Sequence, residues 1–389
     1  MNYQETLQYI NDTPKFSKIL GNDQLVTLLD FLGNPQDKLE FIHIAGTNGK
    51  GSVSAMTATV FEKAGYKTGL FTSPYIEEFN ERIQINGENI SDCDLAEVAT
   101  KVKDALKHLS LEISVFAQIT AMAFLYFAQK KCDIVILETG LGGRLDATNV
   151  IKTPKAVVIT KIGLDHTEWL GDTLSKIAEE KCGIIKKNVP VFTCKNQPSE
   201  ALAVIESYCK KKTSPLTICP ETDYKTSLLG EFQKENAGIC VEVLKALGID
   251  EETIKSGLLS AKWIARFEFL RDNLIIDGGH NPDGIQALIK SLKTLEKSVI
   301  FVVAMMEDKN ISEATKLISN FSDKIIVTQL DMPRCMSAPR LSEYFPHSTI
   351  CENPKQAVET ALTMIDKDEI VCVCGSLYLA GEVRKYYKR

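Results

Sequence analysis

Residues 46–52, inside the segment FIHIAGTNGKGSVSAMTATVFEKAG (41–65), carry the clearest chemistry in this 389-residue chain. An apolar run ends at Ala45 and Gly46, a glycine-rich turn follows, and a helical pattern starts near Ser52. That order aims the backbone N–H groups of the turn at one point. The helix N-terminus adds partial positive charge there, and the two together suit an anion. Gly46, Thr47, Asn48, Gly49 and Gly51 supply the backbone, Lys50 a full charge for β- and γ-phosphates, and Ser52 a hydroxyl for Mg²⁺. The pattern is not the common GxxxxGK[ST] form, because position 44 is Ile and Gly51 separates the lysine from the hydroxyl. Three glycines, a lysine and a serine between a strand and a helix nevertheless point to a nucleotide rather than to a bare turn.

Other segments place polar groups at equivalent positions. DIVILETG (133–140) brings Glu138 to the C-terminal end of a strand, the edge at which open α/β sheets bind ligands, so Glu138 is a candidate Mg²⁺ ligand. GLGGRLDATNV (140–150) continues it as a loop bearing Asp146 and Asn149. AVVITKIGLDH (156–166) delivers Asp165 and His166 to the same edge. A lone histidine is more often packed or solvated than functional. Its place behind a strand, beside an aspartate and in step with two other sites, favours a role. In LSKIAEEKCGIIK (174–186), Lys181 shares a helix face with Ile177, Ala178 and Ile185 and is expected to point inward, although an isolated helix lysine is ordinarily solvated.

These groups need a scaffold, and the hydrophobic pattern describes one. Apolar runs at 41–46, 67–72, 133–140, 156–160, 273–279, 298–306, 324–329 and 370–376 alternate with helical stretches such as 52–65 and 283–295. Several runs are apolar on both alternating faces, as strands of a parallel sheet are when helices cover both sides. The order predicts a doubly wound α/β fold with a mostly parallel sheet. Residues 228–262 read as helices, WIARFEFLRDN leads into a new strand, and the β/α alternation then restarts. The expected domains are therefore 1–263 and 264–389.

Bulk properties narrow the function classes. The chain is too long for one compact core, 44% hydrophobic and 25% charged, with a net charge of −6. It lacks the basic stripe that a nucleic-acid binder needs. The run from Val115 to Ala128, interrupted by Gln118 and Thr120, is too short to span a bilayer and reads as a buried helix. The amino terminus shows no secretion pattern, and the eleven cysteines contain no CxxC pair. Cys372 and Cys374 fall on alternate positions of one strand. Together these features predict a cytoplasmic protein with free thiols.

Seven further segments extend the pattern: FTSPYIEEFNERIQING (71–87), LETGLGGRLDATN (137–149), ITKIGLDHTEWLGDTLSKIAEEKCGIIK (159–186), FQKENA (232–237), RFE (266–268), DGGHNPDG (277–284) and CGSLYLAGEV (374–383). With AGTNGKGS, their order and spacing resemble the folylpolyglutamate/dihydrofolate synthases of the Mur ligase superfamily. The resemblance implies a P-loop domain plus a smaller Rossmann-like C-terminal domain, and an ATP-dependent ligase that forms an amide bond through an acyl phosphate. It implies that residues 46–52, Asn236, Arg266, Asp277 and His280 contact ATP. Ser52, Ser73, Glu138, His166 and a carbamylated Lys181 would hold two Mg²⁺. Arg82, Phe116, Leu145, Asp146 and Ala147 would lie on the folate side, and Lys50, His166 and Lys181 would form the catalytic set. The implied substrates are ATP, L-glutamate and a reduced folate or dihydropteroate, and the implied state is a monomer.

Three departures accompany the resemblance. Tyr75 stands in TSPYI where TSPHL is common, Ala117 stands where an acidic residue is frequent, and DGGHN replaces DGAHN. The first two touch the folate side, so the alternative is a Mur-type ligase with a non-folate carboxylate substrate. A cell-wall ligase would be expected to carry a UDP-binding domain ahead of its phosphate loop, which here arrives by residue 46. A nucleotide switch would leave Glu138, His166, Lys181 and DGGHN without a role. No residue decides between polyglutamylation alone and polyglutamylation with dihydrofolate synthesis.

Overall fold

A strand covered on both faces is mostly apolar along its length, and several of the chain's strands are buried at every position. Among them are Phe41–Ala45 (β1), Ile134–Glu138 (with the three intervening strands counted, β5), Ala156–Ile159 (β6) and Val191–Cys194 (β7). The structure, a computed structural model, describes residues 1–14, 21–307 and 311–387. Thr68–Phe71 (β2), Ile83–Ile85 (β3), Glu88–Asn89 (β4) and Leu216–Cys219 (β8) complete an eight-stranded sheet of order β4-β3-β2-β5-β1-β6-β7-β8. It is parallel except for the β2–β3 and β3–β4 pairings. A second, six-stranded sheet contains Glu268–Arg271 (β9), Leu274–Ile276 (β10), Ser298–Val303 (β11), Ile325–Val327 (β12), Thr349–Ile350 (β13) and Glu369–Cys374 (β14). Its order is β13-β12-β11-β14-β10-β9, parallel except at the β9–β10 edge.

The chain forms two compact units. One comprises Met1–Ile162, Thr173–Lys225 and Glu235–Ala261; the other comprises Gly163–Asp172, Thr226–Lys234 and Lys262–Arg389. Two short segments before residue 262 therefore group with the second sheet, an interleaving that a single boundary near 264 does not express.

In the first unit, β1 lies between β5 and β6, with Ile44 in register with Glu138 and Ala45 with Ile159. The strands run parallel, so their C-terminal ends, and the segments that leave them, lie side by side. One core cluster joins the helices Tyr3–Asp12, Asp23–Phe31, Asp92–Leu109 and Val115–Gln129 to this sheet. Val115–Gln129 is buried almost all round, as a helix apolar on every face must be. The helix Lys50–Lys63 is similarly enclosed and starts two residues earlier than the sequence pattern suggests. In the second unit, the core gathers Phe301, Val303, Val327, Cys372 and Cys374 under the helix Pro282–Lys293. All eleven cysteines are free. Among the described residues, no helix is long and apolar enough to cross a membrane.

The helix Glu251–Ser260 crosses Lys50–Lys63 at Gly257, where a Cβ would lie 2.5 Å from Val60 Cγ2 and 2.8 Å from Val60 Cα. Gly257→Ala is therefore expected to force the helices apart and cost about 1–3 kcal/mol, read as a lower Tm. Leu259→Ala, at an exposed position of the same helix, should stay within about 0.5 kcal/mol. A Gly257→Ala protein as stable as the parent would contradict this packing.

Candidate active site

The segment leaving β1 turns sharply at Gly49, whose φ of 92° lies in the region that favours glycine. A Cβ at Gly49 would also meet Asn236 Oδ1 at 2.3 Å, so the loop and Asn236 approach only because that side chain is missing. Thr47 N and Asn48 N donate to the carbonyl of Lys161, at 2.9 and 3.1 Å. The first two amides of the loop are thus tied to the chain following β6. The N–H groups of the next turn, at the start of Lys50–Lys63, are those a helix cannot satisfy internally, and they form its anion-binding end.

Two ammonium groups meet on one backbone oxygen. Lys181, only 4% exposed, donates from Nζ to the Gly46 carbonyl at 2.8 Å. Lys50 Nζ donates to the same carbonyl at 3.1 Å and to that of Thr47 at 3.3 Å. Glu138, also buried, lies with Oε1 4.0 Å from Lys50 Nζ, and its Oε2 accepts the N–H of Ser73 at 3.2 Å. The Lys50 and Lys181 ammonium groups stand beside a helix N-terminus, a combination that suits a polyphosphate. A Mg²⁺ fits the donor types here, since Ser52, Ser73 and Glu138 offer hard oxygens and this ion ordinarily takes few protein ligands beside phosphate oxygens and water. Among the described residues, no three His, Cys, Asp or Glu side chains gather closely enough to hold a metal by themselves.

The residues expected on the folate side are also in the first unit. The Arg82 guanidinium lies over the rings of Tyr75 and Phe79, 5.2 and 5.6 Å from their centroids, and these rings meet edge to face at 5.9 Å. Tyr75, a departure from the family pattern, is therefore in contact with Arg82. Phe116 packs on Phe71 at 5.8 Å and lies against Gly140, while Leu145 is exposed. Ala147 is buried and opens the 3₁₀ turn Ala147–Val150. Asp146 is buried, and both its oxygens hold the loop together. Oδ2 accepts the N–H groups of Gly140 and Leu141 at 3.0 and 2.9 Å, and Oδ1 accepts from Thr148 N and Oγ1. Burial pushes its pKa up, and those hydrogen bonds pull against it.

The second unit gathers another set. Asp277, at the end of β10, accepts the N–H groups of Gly279 at 2.7 Å and Phe267 at 2.8 Å, so it fixes the turn carrying Arg266. Burial raises the pKa of this carboxylate, and the Arg266 charge opposes that rise. His280 is held between the Gly278 carbonyl, 2.8 Å from Nδ1, and Asp165 Oδ2, 3.3 Å from Nε2. Asp165 also accepts from Asn281 Nδ2 and from the backbone N–H of His166. His166, with φ 52°, opens the short helix Thr167–Leu170. Its Nε2 is 3.9 Å from Asp165 Oδ1.

The expected residues thus form two groups: Lys50, Ser73, Glu138, Lys181 and Asn236 around the loop, and His166, Arg266, Asp277 and His280 in the second unit. Reading the sequence missed the Lys161 carbonyl, for which no side-chain pattern exists. It also missed Asn281, although an Asn directly before Pro282 is a helix N-cap pattern and Asn281 does accept the N–H of Gly284.

Known proteins match over the whole chain. The Mur ligase middle domain matches residues 44–192, and the Mur ligase glutamate ligase domain matches residues 265–377. The folylpolyglutamate synthase of Lacticaseibacillus casei is 34% identical, over 99% of this chain and 98% of its own length. The dihydrofolate synthase/folylpolyglutamate synthase of Bacillus subtilis is 33% identical, over 99% of each. The bifunctional folylpolyglutamate synthase/dihydrofolate synthase of Yersinia pestis, solved with AMPPNP and a Mn ion, superposes with a TM-score of 0.91 at 26% identity, covering 99% of this chain and 98% of that one. From the ordered motifs, the two sheets and this full-length similarity, the chain belongs to the folylpolyglutamate/dihydrofolate synthase family of Mur ligases.

Proposed function

We propose that this protein is an ATP-dependent ligase that joins L-glutamate to a folate, the activity of a folylpolyglutamate synthase, with dihydropteroate as a second acceptor. The observation that carries the reading is the meeting of Lys50 and Lys181 on the Gly46 carbonyl, beside Glu138 and a helix N-terminus. A carboxylate is a poor acyl donor, because its leaving group would be oxide. Transfer of the γ-phosphoryl group of ATP to a folate carboxylate oxygen gives an acyl phosphate and ADP. The amine of glutamate then attacks the acyl carbon, the tetrahedral intermediate collapses, and inorganic phosphate leaves with the carboxylate oxygen. The protein's part is positioning and charge compensation.

In this reading the first-turn amides of Lys50–Lys63 grip the triphosphate, and the Lys50 ammonium offsets charge on the transferring group. Asn236, Arg266, Asp277 and His280 serve the nucleotide. Ser52, Ser73, Glu138 and His166 would hold two Mg²⁺, which when bound supply positive charge at the phosphate oxygens. Lys181 adds an ammonium beside that of Lys50. Carbamylation by CO₂ would convert this buried cation into an anionic oxygen ligand for Mg²⁺, and in this reading the modified form is the active one. Arg82, braced by Tyr75 and Phe79, offers a guanidinium to a substrate carboxylate. A cytoplasmic, monomeric enzyme without nucleic-acid or membrane partners completes the reading. A non-folate carboxylate is the second reading, because Tyr75 touches Arg82 and replaces the common histidine.

Glutamate-dependent phosphate release with MgATP tests the substrate assignment. Turnover is expected with tetrahydrofolate and, for a bifunctional enzyme, also with dihydropteroate. No release with either acceptor would sink the folate assignment. Lys181→Ala is expected to lose activity by about 10²–10³-fold and to regain part of it with short carboxylic acids and bicarbonate. Full activity without rescue would show that no carbamate is needed.

A further inference from the structure

A chain of three buried polar side chains lies beneath the loop that follows Glu138, and the reaction described above does not use it. His43, fully buried in the middle of β1, places Nε2 2.8 Å from Thr148 Oγ1. Thr148 Oγ1 is 2.5 Å from Asp146 Oδ1, and Thr148 is also fully buried. The other Asp146 oxygen holds the amides of Gly140 and Leu141, the second and third residues after Glu138. The three side chains therefore connect the middle of the central strand to the start of the 140–149 loop.

The proton order along this chain follows from hydrogen-bond capacity. A hydroxyl so close to a carboxylate donates to it. Thr148 then has only lone pairs left for His43, so His43 must donate from Nε2–H. Its Nδ1 consequently carries a lone pair, and Nδ1 has no hydrogen-bond partner. The opposite order would bury an orphaned N–H there, the rarer and costlier outcome. Burial holds the imidazole in its neutral form by pushing its pKa down to about 3, with the Lys186 charge acting in the same direction.

We propose that His43 is a positioning residue for the ligase: its Nε2–H fixes the Thr148 hydroxyl, which fixes Asp146 and so the loop bearing Leu145, Asp146 and Ala147. The consequence for folate binding rests on the function proposed above. His43 shares β1 with the segment that leads to the phosphate-binding amides, whereas Thr148 does not, so Thr148→Val separates a folate-side effect from a disturbance of the phosphate loop. An apolar residue at position 43 would leave the Thr148 hydroxyl free to rotate away from Asp146. A glutamine there keeps an N–H donor at nearly the reach of Nε2.

The test compares KM for the folate acceptor with KM for ATP in the wild type, His43→Leu, His43→Gln and Thr148→Val. His43→Leu and Thr148→Val are expected to raise the folate KM by about tenfold while the ATP KM moves by less than about twofold, the scale of one lost hydrogen bond to a charged group. His43→Gln should return to within about threefold of the wild type on the same scale. An equal rise in both constants, a change in kcat alone, or a glutamine variant no better than leucine would overturn the proposal. NMR of ¹⁵N-histidine wild-type protein, with five histidines to assign, reads the pinning without activity and covers a His43→Leu protein that fails to fold. A neutral Nε2–H tautomer from pH 5 to pH 8, its proton shifted in Thr148→Val, is expected. An Nδ1–H tautomer would overturn the proposal. A wild type that shows this tautomer but no folate-dependent turnover would defeat the substrate reading and leave the pinning intact.

Discussion

The carbonyl oxygen of Gly46 accepts hydrogen bonds from two lysine side chains, and the rest of the candidate site depends on that convergence. Lys50 comes from the helix that the loop itself begins, whereas Lys181 comes from a helix 135 positions further along the chain. Only a parallel sheet that sets β5, β1 and β6 side by side brings both of them, and Glu138, to one strand end. Two cations near each other in a poorly solvated place repel. Glu138 supplies compensating charge beside Lys50, and a bound polyphosphate would supply more. Cationic groups gathered at a helix N-terminus suit a strongly anionic substrate.

The residues proposed for the folate side are held on a different principle. They are held by packing and by hydrogen bonds that the protein makes to itself. Arg82 lies over two aromatic rings, and Asp146 uses both oxygens on loop amides and on Thr148. If the acceptor binds there as proposed, such stiffness would limit the entropy lost on binding. The phosphate loop, whose first two amides are pinned to the Lys161 carbonyl, shows the same economy with backbone alone.

The strands that carry the site were legible because burial on both faces leaves an uninterrupted apolar run, as at β1, β5 and β6. The rim strands β3, β4, β8 and β13 were not, because half-exposed or two-residue strands have no such run; Leu216–Cys219 buries only Cys219. Lys181 could be read as inward-facing from Ile177 and Ala178 on its own helix, but its acceptor could not, since nothing local marks a carbonyl that distant. Asp146 was legible only as a loop carboxylate and, by resemblance, as a substrate neighbour. Its engagement with four donors depends on a turn geometry that spacing does not reveal. His43 was invisible for the opposite reason: inside an apolar strand it reads as one more strand position, and only its buried hydroxyl neighbour distinguishes it.

The central claim is that a carboxylate oxygen of the acceptor attacks the γ-phosphorus before the amide forms, and one isotope experiment tests it. Ligation is run with a folate whose reacting carboxylate carries ¹⁸O, and the released inorganic phosphate is analysed by mass spectrometry. An acyl phosphate requires that each turnover leave one acceptor oxygen in the phosphate, so labelled phosphate should form in step with the product. Unlabelled phosphate alongside normal amide formation would mean that the carboxylate is activated in another way, and the account of this site would be wrong.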